Sequence, residues 1–154
     1  RGSAGGVTVF IPDENAIDGW YTKSYLLKKI RVGLGGHAAE EILFGSDEIT
    51  NGAVSDFELV TNIATTMVKR FGFSDVGKFA ISEDSSQYTK RLVDEEVHKI
   101  ISNEYNQVKF TLEKYKKSLD ILSELLITHE TIDGNEALKA LHRLDDNDIK
   151  TLMQ

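Results

Sequence analysis

The chain has no cysteine, a single proline and no cluster of basic residues. Without cysteine there is no disulfide and no thiolate metal site, and the composition suits a reducing compartment. A net charge of -7 with no basic run argues against a nucleic-acid-binding surface. No apolar stretch approaches the ~18 residues that would span a bilayer. No signal peptide is visible either, because Arg1-Gly2-Ser3-Ala4-Gly5-Gly6 leads into a short β-like stretch rather than a long apolar region. The chain does not begin with methionine and is read as a piece of a longer protein, so the lack of a targeting segment says little about the parent. None of the four histidines, His37, His98, His129 and His142, stands at zinc-site spacing from another. No glycine-rich phosphate loop is present, since Gly33-x-Gly35-Gly36 lies inside a helical pattern and not after a strand.

What is present is 154 residues, 40% hydrophobic and 28% charged, enough for one domain with a real core. Val7, Val9 and Ile11 alternate with Thr8 and Phe10 up to Pro12, which reads as a strand, and residues 13–19 read as a loop. A first helix is expected with Thr22 as N-cap, apolar residues at Leu26, Ile30, Leu34, Ala38 and Ile42, a stripe widened by Leu27 and Leu43, and Gly45 as C-terminal cap. Gly33, Gly35 and Gly36 inside it cost roughly 1 kcal/mol each relative to alanine, which close approach of a neighbouring helix would offset. Ser55 with Glu58 forms the pattern of a capping box for a second helix, whose apolar face is Phe57, Val60, Ile63, Ala64, Met67, Val68 and Phe71, and which Gly72 ends. Residues 73–87 are irregular and serine-rich. A long helix follows over about 88–115, with Leu92, Val93, Val97, Ile100, Ile101, Tyr105, Val108 and Leu112 as its stripe. Ser118 is placed to cap the next helix, with Leu119, Leu122, Leu125 and Leu126. Asp133 and Glu136 form a second capping box, opening a short helix through Ala137, Leu138 and Leu141. Residues 145–154 read as an acidic, frayed tail.

Several segments resemble, in order, the FtsH-type family of membrane-bound AAA+ zinc metallopeptidases. They are Gly6-Val7-Thr8 through Pro12, Leu34-Gly35-Gly36-His37-Ala38-Ala39-Glu40-Glu41 with Phe44-Gly45, and Asn51-Gly52-Ala53 with Asp56. Phe71-Gly72-Phe73-Ser74-Asp75, Val93-Asp94-Glu95-Glu96-Val97 and Glu130-Thr131-Ile132-Asp133-Gly134 complete the series. Each is weak alone; their order over about residues 1–142 is specific. The resemblance implies a mainly α domain with a short β edge strand near its N-terminus, here a partial peptidase domain over 1–144 followed by the acidic tail 145–154. It implies Asp56 as a Zn2+ ligand. It also implies that Gly6, Val7, Thr8, Val9, Phe10 and Ile11 form an edge that pairs with extended substrate through backbone hydrogen bonds. Other subunits in a hexameric ring, unfolded polypeptide substrates, an ATP-binding module and a membrane anchor upstream are implied partners. The parent is then expected at a bacterial inner membrane or a mitochondrial or plastid membrane, and this piece itself is expected to be soluble.

The family's zinc is held by two histidines of a His-Glu-x-x-His helix, whose glutamate is the general base, and by an aspartate further along. That motif is absent here, so the piece alone is expected to be inactive, and the histidine pair is expected upstream of Arg1. The alternative is a proteolytically inactive homologue that serves as an assembly or chaperone subunit; a helical interaction module without metal chemistry is a third reading. Taken without the resemblance, Asp56 is a first-turn carboxylate that favours the helix dipole, and the 6–11 stretch is an ordinary strand. The family usually has arginine where His37 stands and serine where Val54 stands. His37 between Gly36 and Ala38 suits a packed position better than a metal ligand. His98 reads as surface, and His129 as a helix-end residue. The acidic runs Asp94-Glu95-Glu96 and Asp145-Asp146 read as solvated faces or helix starts.

Overall fold

The computed structural model describes residues 20–142. The expected edge strand at residues 6–11 and the acidic tail lie outside the described residues. Among the described residues the regular structure is helical throughout, as expected. The α-helices are α1 (Lys23–Phe44), α2 (Val54–Lys69), α3 (Gln87–Lys114), α4 (Lys116–His129) and α5 (Gly134–His142), and two short 3-10 turns, Ser46–Glu48 and Asn51–Ala53, join α1 to α2. The chain divides into two compact units, residues 1–110 and 111–154.

The first unit is built on α1 packed against α2. Thr22 caps α1 by accepting the Tyr25 N–H at 3.1 Å. Gly45 closes the helix at φ +86°, donating its N–H to the Glu41 carbonyl at 3.0 Å. The four-residue steps that predict the helix also place its buried face, because Leu26, Ile30, Leu34 and Ala38 are all buried and Ile42 is half-buried. Val60, Ala64, Met67 and Val68 face them from α2. Ile30, Leu34, Val60, Met67 and Val68 are the largest fully buried side chains, each contributing about 2 kcal/mol of transfer free energy as an upper estimate.

Gly33 lies at the crossing of the two helices. A Cβ there would sit 2.9 Å from Val60 Cγ2, so this glycine is what lets α2 approach. Gly35 and Gly36 have no neighbour within 4 Å among the described residues, so close approach accounts for one of the three helical glycines and not for the other two.

The start of α2 differs from the expected capping box. The helix begins at Val54, one residue before Ser55, and its first turn has no side-chain cap. A 3-10 turn runs directly into the helix, and Ser55 falls inside it. The side chain that caps here is Thr50, which accepts the Gly52 N–H at 3.2 Å. At the far end of α2 the Phe73 N–H reaches the Met67 carbonyl at 3.0 Å across Gly72, whose φ of +61° suits glycine. The irregular segment that follows is tied back by Ile81 N–H on the Lys69 carbonyl (2.9 Å) and by Lys69 Nζ on Glu83 (2.6 Å). In α3 the expected stripe is present, with Val93, Ile100 and Val108 buried and Leu92, Val97, Ile101, Tyr105 and Leu112 half-buried.

In the second unit the helix break falls at Tyr115, three residues before the expected cap at Ser118. Ser118 sits inside α4, its N–H bonded to the Tyr115 carbonyl at 2.9 Å, so it is past the helix start that a cap would serve. The Asp133–Glu136 capping box forms as expected. Asp133 Oδ1 accepts the Glu136 N–H at 2.9 Å, and Glu136 Oε2 accepts the Asp133 N–H at 3.4 Å.

Candidate metal-ligand turn around Asp56

Asp56 stands in the first turn of α2, half-buried, where the free N–H groups of a helix start favour negative charge. None of the ion pairs among the described residues involves it. Val54 and Phe57, the residues on either side of its turn, are both exposed. An unpaired carboxylate beside exposed apolar side chains is a hard oxygen donor available to a metal. It is one donor only. Among the described residues no three His, Cys, Asp or Glu side chains converge to hold an ion. The described residues therefore do not form a complete metal site around this carboxylate.

The turn that carries Asp56 is fastened to α1. Glu40, in the last turns of α1, accepts the Thr50 N–H through Oε2 at 3.0 Å and lies 3.0 Å through Oε1 from the Thr50 hydroxyl. The Thr50 hydroxyl in turn accepts from Gly52 N–H. Buried Ala53 then pins the end of the 3-10 turn before α2 begins. The sequence pattern points to Asn51-Gly52-Ala53, and to Glu40 as part of the 34–41 segment, but not to Thr50 or to the bond between Glu40 and Thr50. The signal was the Thr-Asn-Gly order, a sequence typical of a side-chain-capped turn.

The next residue along α1, Glu41, faces α3 instead. The Tyr105 O–H donates to its carboxylate, and Lys109 Nζ donates at 3.0 Å. These donors, Tyr105 first, hold the Glu41 carboxyl below the ordinary glutamate range. Burial, with the bond to Glu41, pushes the Tyr105 phenol well above its usual value. Arg31 Nε is paired with Glu104, whose carboxylate is buried. His37 lies inside this group. Its ring meets Phe57 edge-on at 4.8 Å and Tyr105 at 5.9 Å, and its Nδ1 is buried without a hydrogen-bond partner. His37 therefore occupies a packed position, as its small neighbours indicate. His98 is exposed on α3. The six residues expected to pair with substrate, 6–11, lie outside the described residues.

The model of peptidase family M41 matches residues 1–140. A cyanobacterial protein, ATP-dependent zinc metalloprotease FtsH 3 of Synechocystis, is 39% identical over 153 aligned residues, covering 88% of this chain and 25% of its own length. The chloroplastic ATP-dependent zinc metalloprotease FTSH 5 of Arabidopsis thaliana is 38% identical, covering 88% of this chain and 22% of its own length. ATP-dependent zinc metalloprotease FtsH of Chloroflexus aggregans is 36% identical over 94% of this chain and 24% of its own length. The chain thus spans about a quarter of the length of these relatives.

Proposed function

The chain belongs to peptidase family M41, and from that membership we propose that it is the aspartate-bearing part of the zinc peptidase domain of an ATP-dependent, membrane-anchored protease. The observation that carries the reading is Asp56: a half-buried, unpaired carboxylate at the mouth of α2, on a turn bound to the neighbouring helix. In the whole protein a His-Glu-x-x-His helix preceding this segment would complete the ligand set, with its glutamate as general base. Bound there, zinc would supply a water whose pKa is lowered toward 7.

This chain's own residues have three tasks in that reading. Asp56 offers a carboxylate oxygen from a fixed helix end. The α1–α2 packing, set by Gly33 against Val60, holds that end rigid relative to the rest of the first unit. The 6–11 segment pairs with extended substrate through main-chain bonds, which tolerates many substrate sequences and suits the degradation of unfolded polypeptide. The ATPase, the membrane anchor and a hexameric ring belong to the same proposal and to the protein as a whole. Among the described residues no helix is long and apolar enough to cross a membrane.

The test is hydrolysis of casein by the full-length protein with ATP. The unaltered protein is expected to cleave it, and Asp56→Asn to lose cleavage while keeping ATP hydrolysis. An unaltered protein that hydrolyses ATP but never cleaves casein would replace this reading with that of an inactive assembly subunit.

A further inference from the structure

We infer that Glu40 is a positioning residue for Asp56, acting through the Thr50 hydroxyl; the inference rests on the reading of Asp56 as a ligand. The relay has a defined direction. A threonine hydroxyl has one proton to give and lone pairs to accept with. Gly52 N–H points at Thr50 Oγ1 and occupies an acceptor site, at 3.2 Å. The hydroxyl proton is therefore free for the Glu40 carboxylate, whose oxygens lie 3.0 and 3.1 Å away. Thr50 N–H donates to the same carboxylate at 3.0 Å, so Glu40 grips both the backbone and the side chain of one residue.

The relay matters because α2 has no cap of its own. No side chain caps its first turn, the turn that carries Asp56. The orientation of that turn is set by the 3-10 segment Asn51–Ala53, and that segment is held at one end by Thr50 and at the other by buried Ala53. Gly52 leaves room for the bond, since a Cβ there would stand 3.2 Å from the Thr50 hydroxyl oxygen. Glu40 itself is carried by α1, whose opposite face is locked into the core through Leu34 and Ala38. A rigid helix thus reaches across to the loop and fixes where the first turn of α2 points. A metal ligand must be held to within about 0.5 Å of its productive place. A carboxylate that orients a ligand from the next layer out typically changes metal affinity by about 10–100-fold when removed.

The full-length protein would be loaded with zinc and titrated with a competing chelator, comparing Glu40→Ala, Thr50→Val, Thr50→Ser and Asp56→Ala. Deuterium exchange would be followed over residues 50–56 of the metal-free protein. Glu40→Ala and Thr50→Val are each expected to weaken zinc binding by about 10–100-fold and to speed exchange across 50–56. Thr50→Ser, which keeps the hydroxyl, is expected to match the unaltered protein in both measurements. A purely structural role, which serine would rescue as well, would lower the melting temperature of Glu40→Ala and Thr50→Val and leave their zinc affinity unchanged. If Asp56→Ala loses zinc while Glu40→Ala and Thr50→Val bind as tightly as the unaltered protein, the positioning role is overturned and the ligand reading stands. If Asp56→Ala keeps zinc, the ligand reading fails and the inference falls with it. Should Glu40→Ala not fold, the contrast between Thr50→Val and Thr50→Ser decides alone; equal loss in both overturns the proposal.

Discussion

Replacing Gly33 and Gly35 by alanine, one at a time, separates two effects that are usually mixed. Both glycines lie well inside α1, so each alanine gains about 1 kcal/mol of helix propensity. At Gly35 nothing among the described residues stands within 4 Å of the new methyl group, so the gain should appear undiminished. At Gly33 the methyl would stand 2.9 Å from Val60 Cγ2. Val60 is fully buried, and its β-branched side chain has little rotamer freedom with which to yield. Overpacking of this kind costs about 1–3 kcal/mol. Gly33→Ala should therefore be net destabilising by about 1 kcal/mol and Gly35→Ala net stabilising by about 1 kcal/mol. For a chain of this size, calorimetry should show shifts of about 3 °C in opposite directions. Gly33→Ala melting as high as Gly35→Ala would refute the close crossing of α1 and α2 at that point.

Acid should weaken the first unit through Glu41. Its folded pKa is depressed by the Tyr105 O–H and Lys109, so its contribution is complete above the ordinary glutamate value of about 4.3 and is lost as pH falls through the lower folded value. Urea midpoints should fall below that pH, and more gently in Tyr105→Phe; equal slopes in the two proteins would contradict the assignment. Arg31→Ala leaves the buried Glu104 carboxylate without its partner, and should cost about 2 kcal/mol, below the usual range for a buried pair because Arg31 is partly exposed. Glu104→Gln made in the same background should restore part of that loss, and no restoration would mean the pair is not the cause. Val32, Leu43, Phe44, Val54 and Phe57 are exposed apolar side chains on α1 and α2, so the isolated 154-residue chain should self-associate at micromolar concentration. Solution scattering from a monodisperse monomer would count against it.

The parts of this fold legible in the sequence are those fixed by short-range patterns. The four-residue step from Leu26 to Ala38 located both a helix and its buried face. Thr22, Gly45 and the Asp133–Glu136 box were legible because a cap is a contact between residues three or four apart. The same rule misplaced the start of α2, since Ser55 and Glu58 have the right spacing but a 3-10 turn capped by Thr50 already feeds the helix. Ser118 misled for the same reason: local chemistry allows a cap there, and the chain's path does not use it. Contacts such as Arg31–Glu104 and Glu41–Tyr105 join residues more than sixty positions apart, and no local pattern announces them. Of the site, Asp56 was marked by resemblance and would otherwise have read as an ordinary first-turn carboxylate. Glu40 stood in the resembling segment 34–41 with no role of its own, and its contact with Thr50, ten residues on, follows no local spacing rule.

The central claim is that Asp56 holds zinc in the complete protein, and the direct measurement is the metal content of the purified full-length protein by elemental analysis, beside Asp56→Ala. One zinc per chain in the unaltered protein, and essentially none in a folded Asp56→Ala, is the result the account predicts. A folded Asp56→Ala that retains its full zinc would contradict it.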